Sequence, residues 1–146
     1  MKVRPAAIII ENNHVLLLRY QYSGNDVFAL PGGNPDRGET LPQTIERELS
    51  EELGIEVEVS GMAFLGEVLI AQQKEDVLHV LFGAKIIAGI PRLNAQETTA
   101  LEISWQPFEA LNRLNLYPNV GEYIQDILLG HAPKPYIGRI NQPFFG

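Results

Sequence analysis

Apolar residues in the first part of the chain form short runs separated by polar turns. Ala6 to Ile10 and Val15 to Leu18 are apolar and flank the polar sequence Glu11-Asn12-Asn13, which predicts two strands joined by a turn. The sequence from Val27 to Ala29 predicts a third, short strand ahead of a loop rich in proline and glycine. The chain is therefore expected to begin with β structure.

The segment from Thr40 to Leu53 has the strongest helical pattern. Its apolar residues recur at every fourth position, which places on one face Leu41, Ile45, Leu49 and Leu53. Thr40 is followed three residues later by Gln43, the spacing of a capping box, and Gly54 suits the left-handed residue that ends a helix. This pattern predicts one amphipathic helix with a buried apolar face.

Strand patterns return after this helix. Residues 55–70 and 76–87 alternate in the manner of two long strands, with Gly61 and Gly66 as expected bulges or bends. Residues 91–103 are weakly patterned and predict a loop that leads into a short strand around Trp105.

The C-terminal part predicts shorter elements. Residues 107–114 and 119–130 predict two helices, of which the second is amphipathic. Residues 131–146 are rich in proline and aromatic side chains, and we expect an extended tail packed on the body or on a neighbouring chain. Strands dominate over helices, so the predicted class is α+β, or α/β with a mixed sheet.

Composition and charge narrow the classes of function. The 146 residues suffice for one domain with a real core, and the net charge of −7 argues against binding a nucleic-acid duplex or an anionic membrane. A phosphorylated small molecule stays compatible, because a bound divalent cation reverses the local sign. The absence of cysteine excludes disulfides, thiolate zinc sites and a cysteine nucleophile. Without an apolar run near ~18 residues or a secretory signal, we expect a cytoplasmic protein.

The sequence RELSEELG, residues 47–54, crowds carboxylates where a helix tolerates them poorly. Glu48, Glu51 and Glu52 repel one another at helical spacing and face the negative end of the helix dipole. At roughly 100° per residue they form a strip about 100° wide beside the apolar face. Such a strip is either a site for a hard cation such as Mg²⁺ or a solvated face. The glycine-rich loop before the helix favours the cation, because glycine lets backbone approach a ligand.

Together, this loop and helix resemble the signature of the Nudix hydrolase family. That signature is Gly, five residues, Glu, seven residues, Arg-Glu, an aliphatic, any residue, Glu-Glu, any residue, Gly and an aliphatic. The chain meets every specified position between Gly33 and Ile55. The resemblance implies an α+β Nudix fold, an α/β/α sandwich with a mixed β-sheet between helices, with the domain at residues 1–130 and the tail at 131–146.

The resemblance also implies an activity and a cofactor. It implies hydrolysis, dependent on Mg²⁺ or Mn²⁺, of a nucleoside diphosphate linked to another group, as in nucleoside triphosphates and nucleotide sugars. By position in the signature, Glu48, Glu51 and Glu52 are implied as metal ligands, joined by the backbone carbonyl of Gly33. Arg47 is implied to orient these acids by pairing with one of them.

Other roles follow less directly from the resemblance. Glu39 would support the loop or hold the metal through water. The family's general base varies: it is a Glu of the signature or an acid in a later loop, here Glu97 or Glu102. We prefer Glu97 as a catalytic residue because it lies in the looser part of the loop.

The residues that bind the rest of the substrate are predicted from the strands that would face the signature. The aromatic and histidine candidates for the base, each also compatible with a core position, are Tyr22, Phe28, His79, Phe82 and Trp105. Arg4 and Arg19 are candidates for phosphate contact. The predicted substrate-binding set is Arg19, Phe28, Glu39 and Phe82. Ala71 and the two glutamines after it differ from the markers of ADP-ribose pyrophosphatases and dinucleoside polyphosphate hydrolases.

Two alternatives concern activity and assembly. A Nudix-like module that binds or senses a nucleotide without turnover is the alternative to a hydrolase, since fold does not fix function. The intact acid set favours the hydrolase. The aromatic tail also makes a homodimer a plausible assembly, since the closed twofold dimer is the usual form.

Overall fold

Eight strands and three helices make up the fold within residues 1–70 and 75–143, the residues that this computed structural model describes. The strands are β1 (Lys2–Glu11), β2 (His14–Tyr22), β3 (Asn25–Ala29), β4 (Glu56–Val68), β5 (Val77–Ala88), β6 (Glu102–Pro107), β7 (Leu116–Tyr117) and β8 (Tyr136–Arg139). The helices are α1 (Leu41–Leu53), a 3₁₀ helix (Phe108–Arg113) and α2 (Gly121–Leu128).

The sheet is mixed and has the strand order β7-β3-β2-β1-β5-β4-β8, with β6 paired to β2. β1 runs parallel to β5 from the pair Lys2–Val77 to the pair Ile9–Ala84, whereas it pairs with β2 only at the hairpin end. The predicted turn of this hairpin lies at Asn12, which adopts a positive φ of 51°. β1 and β2 are therefore paired only beside the turn, and the sheet splits between them farther along the two strands.

Two hydrophobic clusters lie on opposite faces of the sheet. The α1-side cluster contains the fully buried apolar face of α1, namely Ile45, Leu49 and Leu53, packed on side chains from β1, β2 and β5. The α2-side cluster contains Ile124 of α2 together with Phe64 and Leu81. Helices thus cover both faces of a mixed sheet, which confirms the predicted α/β/α sandwich.

The predicted bounds and caps of α1 are confirmed. The Thr40 N–H donates to Gln43 Oε1 at 2.9 Å, and the Gln43 N–H donates to Thr40 Oγ1 at 3.3 Å, which completes the capping box. Gly54 follows the helix with a φ of 65°. The caps fix the ends of α1, and the acidic strip therefore lies in its last two turns.

The structure differs from the sequence prediction in the shorter elements. The short helix predicted at residues 107–114 is present as a six-residue 3₁₀ helix. β7 and β8 were not predicted, because two and four residues are too short for a clear alternation. The expected bulge at Gly61 is confirmed by a register shift between Val59 and Gly61.

The tail packs on the body of its own chain. β8 pairs in parallel with β4, beginning at Tyr136 opposite Leu65. The last three residues of the predicted tail, and the positions 71–73 that lack subfamily markers, lie outside the described residues. In the part of the chain that the structure describes, no helix is long and apolar enough to span a membrane.

Candidate active site

The glycine-rich loop lies directly against the acidic strip of α1. The Gly33 N–H donates to the Pro5 carbonyl at 3.3 Å, which holds the loop on β1. A Cβ atom at Gly33 would lie 2.3 Å from Cδ and 2.6 Å from Oε2 of Glu48. Only glycine therefore lets the loop backbone approach this carboxylate so closely.

Arg47 connects the loop to the acids of the helix. Its Nε donates to Glu39 Oε2 at 2.6 Å, and its Nη2 donates to Glu39 Oε1 at 3.0 Å and to the Asn34 carbonyl at 3.0 Å. Its Nη1 donates to Glu48 Oε1 at 2.9 Å and to Glu51 Oε2 at 3.2 Å. The rigid fork of the guanidinium thus fixes the loop and two acids of the helix in one arrangement.

Glu39 supports the loop through further hydrogen bonds. Its Oε1 accepts from the Asp36 N–H at 2.7 Å and from Thr44 Oγ1 at 3.0 Å. The hydrogen bond from Arg47, followed by that from Asp36, lowers the pKa of Glu39 to about 2. Glu39 is therefore ionised and engaged within the loop.

Glu52 has the opposite electrostatic environment. Burial, followed by the negative charge of Glu48, raises the pKa of Glu52 to about 7. The positive charge of Arg4 opposes this rise. Glu52 is therefore held toward its neutral form.

The oxygen atoms of this acidic strip are of the kind that bind a divalent cation. Glu48, Glu51, Glu52 and the backbone of Gly33 offer only carboxylate and carbonyl oxygens, the ligands that Mg²⁺ prefers. Within residues 1–70 and 75–143, no three histidine or acidic side chains already converge as a metal-binding group. Two of the acids accept hydrogen bonds from Arg47 instead. A cation there would favour the ionised form of Glu52 against the effects of burial and of Glu48.

A cleft of about 310 Å³ opens beside Glu52. Its lining combines Tyr20 and Glu52 with residues 95–99 of the loop before β6, including Glu97. The Asn94 N–H donates to the Glu52 carbonyl at 2.9 Å, so the loop is anchored on the end of α1. The structure therefore brings Glu97 and Glu52 to the same cleft.

The other candidate base faces elsewhere. Glu102 Oε1 lies 3.5 Å from Nε of Arg19, and Asp26 Oδ1 lies 3.2 Å from Nη1 of the same arginine. Arg19, predicted to contact substrate, is thus engaged by two protein carboxylates. A larger cleft of about 480 Å³, which includes Trp105 and residues 86–91, contains none of the acids of α1.

The aromatic residues that were predicted to contact the substrate lie in different parts of the structure. Phe28 is half-buried and packs on the α2-side cluster. Phe82 belongs to the α1-side cluster and is 8% exposed, which is a packing position. Tyr22 is 48% exposed and stacks on Tyr20 with ring centroids 6.2 Å apart. The burial of Phe82 favours a role in packing over the predicted contact with substrate.

Two tyrosines were not among the predicted site residues, Tyr20 in the lining of the cleft and Tyr117 beside His79. Tyr20 Oη lies 3.4 Å from Thr98 Oγ1 across the cleft, and its alternation with Leu18 on β2 was a signal for that face. The Tyr117 ring packs edge-on against His79, with centroids 5.1 Å apart and planes at 85°. No pattern marks Tyr117, because it lies in a two-residue strand.

The chain is similar to known proteins in sequence and in fold. The chain matches the NUDIX domain over residues 1–127. It is 30% identical over 118 residues to the nucleoside triphosphatase NudI of Enterobacter sp. (strain 638), covering 74% of this chain and 84% of that protein. A NUDIX hydrolase from Nitrosomonas europaea superposes with a TM-score of 0.73 at 21% identity, over 90% of each chain. An ADP-ribose pyrophosphatase from Streptococcus suis 89-1591 does so with a TM-score of 0.66 at 20% identity, over 94% of this chain and 97% of that one.

Proposed function

Because this chain belongs to the Nudix family and is a pyrophosphohydrolase, we propose that it hydrolyses a nucleoside diphosphate linked to another group, using a divalent cation. The observation that carries the proposal is the contact of the Gly33 loop with Glu48 beside the charged strip of Glu51 and Glu52. The NudI relative is named a nucleoside triphosphatase, which favours a nucleoside triphosphate over a nucleotide sugar as the substrate.

The proposed cofactor is Mg²⁺ or Mn²⁺. Glu48, Glu51, Glu52 and the Gly33 carbonyl would hold it, and when bound it would neutralise diphosphate charge and activate water. Arg47 orients two of these acids through the hydrogen bonds of its Nη1. The complete acid set favours hydrolysis over the alternative of nucleotide binding without turnover.

We assign the proton-accepting role to Glu97. It lines the cleft beside Glu52, and a carboxylate there is placed to accept a proton from the attacking water. Glu102, by contrast, is paired with Arg19.

Separate substitutions of Glu97 and Glu102 test the assignment. Glu97→Gln is expected to lower kcat by about 100-fold or more with little change in KM, because it removes a proton acceptor and leaves the binding groups in place. Glu102→Gln is expected to retain kcat, since it disturbs only an ion pair with Arg19. Loss of kcat in Glu102→Gln with a normal Glu97→Gln would transfer the role to Glu102.

A substrate panel tests the function itself. Release of phosphate and pyrophosphate is measured for nucleoside triphosphates, dinucleotides and nucleotide sugars, each with Mg²⁺ and with EDTA. We expect turnover of nucleoside triphosphates that EDTA abolishes. Turnover that persists in EDTA would contradict the cation, and turnover confined to nucleotide sugars would contradict the triphosphate.

A further inference from the structure

The carbonyl groups at the end of α1 are held by residues from outside the helix. The last four carbonyls of a helix have no partner within it. In α1, the carbonyls of Glu51 and Glu52 both accept from Asn94, from its Nδ2 at 3.2 Å and from its N–H at 2.9 Å. The Leu53 carbonyl accepts from the Arg92 N–H at 3.0 Å. The segment between β5 and β6 therefore satisfies three of these four carbonyls.

Asn94 also builds the turn that follows it, residues 94–98, which we call the anchored turn. Its carbonyl accepts from the Glu97 N–H at 2.9 Å and from the Thr98 N–H at 3.0 Å. Its Oδ1 accepts from the Gln96 N–H at 3.1 Å. Asn94 thus uses its N–H and its side-chain amino group on the helix, and its two carbonyl oxygens on the turn.

The other side of the anchored turn is held by β2. Tyr20 Oη lies 3.4 Å from Thr98 Oγ1, and the Leu101 N–H, just beyond the turn, donates to the Arg19 carbonyl at 2.8 Å. Among the residues that the structure describes, the hydrogen bonds that join the anchored turn to α1 are all made by Asn94. The position of the turn relative to the helix therefore depends on this residue.

The same link connects the groups that the proposed reaction brings together. Glu51 and Glu52 are proposed ligands of the cation, and Glu97 is the proposed proton acceptor. Two consecutive hydrogen bonds, both made by main-chain groups of Asn94, join the backbone of Glu52 to the backbone of Glu97. Because Glu52 and Glu97 line one cleft, a shift of the anchored turn would change the separation of the proton acceptor from the acids of α1.

We propose that Asn94 is a positioning residue for hydrolysis, which holds Glu97 at a fixed place relative to the acids of α1. The proposal rests on the proposed function, since it takes Glu97 as the proton acceptor. Asn94 is exposed, and its side chain bonds to backbone groups of Glu51 and Gln96. Its substitution is therefore expected to leave the carboxylates of α1 in place and to act on kcat rather than on KM.

The first test is Asn94→Ala in steady-state kinetics with a nucleoside triphosphate and Mg²⁺. We expect kcat to fall by about 10-fold with KM within about twofold of the wild type, because a small displacement of a catalytic group is costly while the binding groups stay. Asn25→Ala, which changes an exposed asparagine at the start of β3, is the matched control and should retain kcat.

Asn94→Asp separates the link to the helix from the turn itself. Aspartate keeps an acceptor for the Gln96 N–H, but it cannot donate to the Glu51 carbonyl, and its charge faces the negative end of the helix dipole. We expect kcat to fall at least as far as in Asn94→Ala. Amide hydrogen exchange at Gln96 should accelerate in Asn94→Ala and stay slow in Asn94→Asp. Normal kcat in Asn94→Asp would overturn the proposal.

A double-mutant cycle tests whether Asn94 acts through Glu97. In the Glu97→Gln background, Asn94→Ala should lower kcat by less than about twofold, because no proton acceptor remains to be positioned. The affinity for Mn²⁺, measured by calorimetry, should be unchanged in Asn94→Ala. Additive losses of kcat, or weakened binding of Mn²⁺, would show that Asn94 acts on the fold or on the cation site, and either would overturn the proposal.

The outcomes separate this proposal from the proposed function. Absence of Mg²⁺-dependent turnover by the wild type would contradict the proposed function and overturn the role of Asn94 with it. If the wild type is active, normal kcat in Asn94→Ala, or a raised KM with unchanged kcat, would overturn the role of Asn94 alone. Normal kcat in Glu97→Gln would do the same, since Asn94 would then have no proton acceptor to hold.

Discussion

Glu52 and His79 have pKa values shifted in opposite directions by the same cause. Burial raises the pKa of Glu52 to about 7, and burial lowers the pKa of His79 to about 4, because burial disfavours the charged form of each group. Glu48 adds to the first shift, and Arg4 adds to the second. Both groups therefore make the stability of the fold depend on pH.

Glu52→Gln is expected to abolish turnover and to stabilise the metal-free protein. Between about pH 4.5 and 7 the folded wild type binds more protons at Glu52 than the unfolded chain, so its stability falls as pH rises through this window. Above pH 7 in EDTA, the variant should gain on the order of 1 kcal/mol, a value reduced because Glu52 is partly exposed. Turnover and urea unfolding are measured beside Glu46→Gln, an exposed change on the same helix. Full activity in Glu52→Gln would contradict the role of this acid.

His79→Phe is expected to protect the fold at acid pH. The folded wild type binds fewer protons at His79 than the unfolded chain between pH 6.5 and about 4, so stability is lost as pH falls through this window. The loss attributable to His79 amounts to about 3 kcal/mol, and the variant should lack it. Urea unfolding across this range checks the difference, with His131→Gln at an exposed position as control. Parallel pH profiles of wild type and His79→Phe would refute this account.

Sequence predicted the residues of the signature more readily than the residues around them. The crowding of Glu48, Glu51 and Glu52 violates helix preferences, which makes it visible in one sequence. Tyr117 and Gln142 gave no such signal. Tyr117 pairs with β3 and Gln142 accepts a hydrogen bond from Asn119, and no local pattern encodes such long-range contacts.

At the scale of elements, α1 and the loop before it act as one unit. The capping box fixes the start of the helix, the stripe of Ile45, Leu49 and Leu53 fixes its rotation, and Arg47 ties the loop to it. Capping and a four-residue period are local features, so the bounds of α1 could be predicted from the sequence. β7 and β8 could not be predicted, since each is short and pairs with a strand distant in sequence.

Gly33→Ala tests the contact between loop and helix. The added Cβ would overlap Glu48, so we expect kcat to fall by about 10- to 100-fold as this carboxylate is displaced. The free energy of unfolding should change little, because the Glu48 side chain is partly exposed and can rotate away from the added methyl group. Gly38→Ala is the matched control: it has a φ of 87° and no atom within 4 Å, so it should lose about 1 kcal/mol of stability and retain kcat. Normal kcat in Gly33→Ala would show that the close approach is not needed.

At the scale of the whole molecule, the sheet separates two groups of residues, one on each face. The helix that carries the crowded acids packs on the α1 side, whereas Ile124 of α2 and Ile140 of the tail pack on the α2 side. The tail packs within its own chain, where β8 pairs with β4. Homodimer formation remains a prediction.

Truncation tests whether the tail contributes to assembly. Because β8 pairs within the chain, removal of residues from His131 onward is expected to leave the molar mass per particle unchanged apart from the deleted residues, and to lower stability through loss of the buried Ile140. Light scattering of the full and shortened chains measures this. A dimer that becomes a monomer on truncation would assign the tail to a dimer contact.

The most direct test of the account is a calorimetric titration with Mn²⁺, comparing wild type, Glu46→Gln and Glu52→Gln. The central claim is that the crowded acids of α1 form a divalent-cation site. We expect saturable binding of Mn²⁺ by the wild type and by Glu46→Gln, with affinity lowered by about 10-fold or more in Glu52→Gln. Equal binding by all three proteins, or no binding by the wild type, would contradict it.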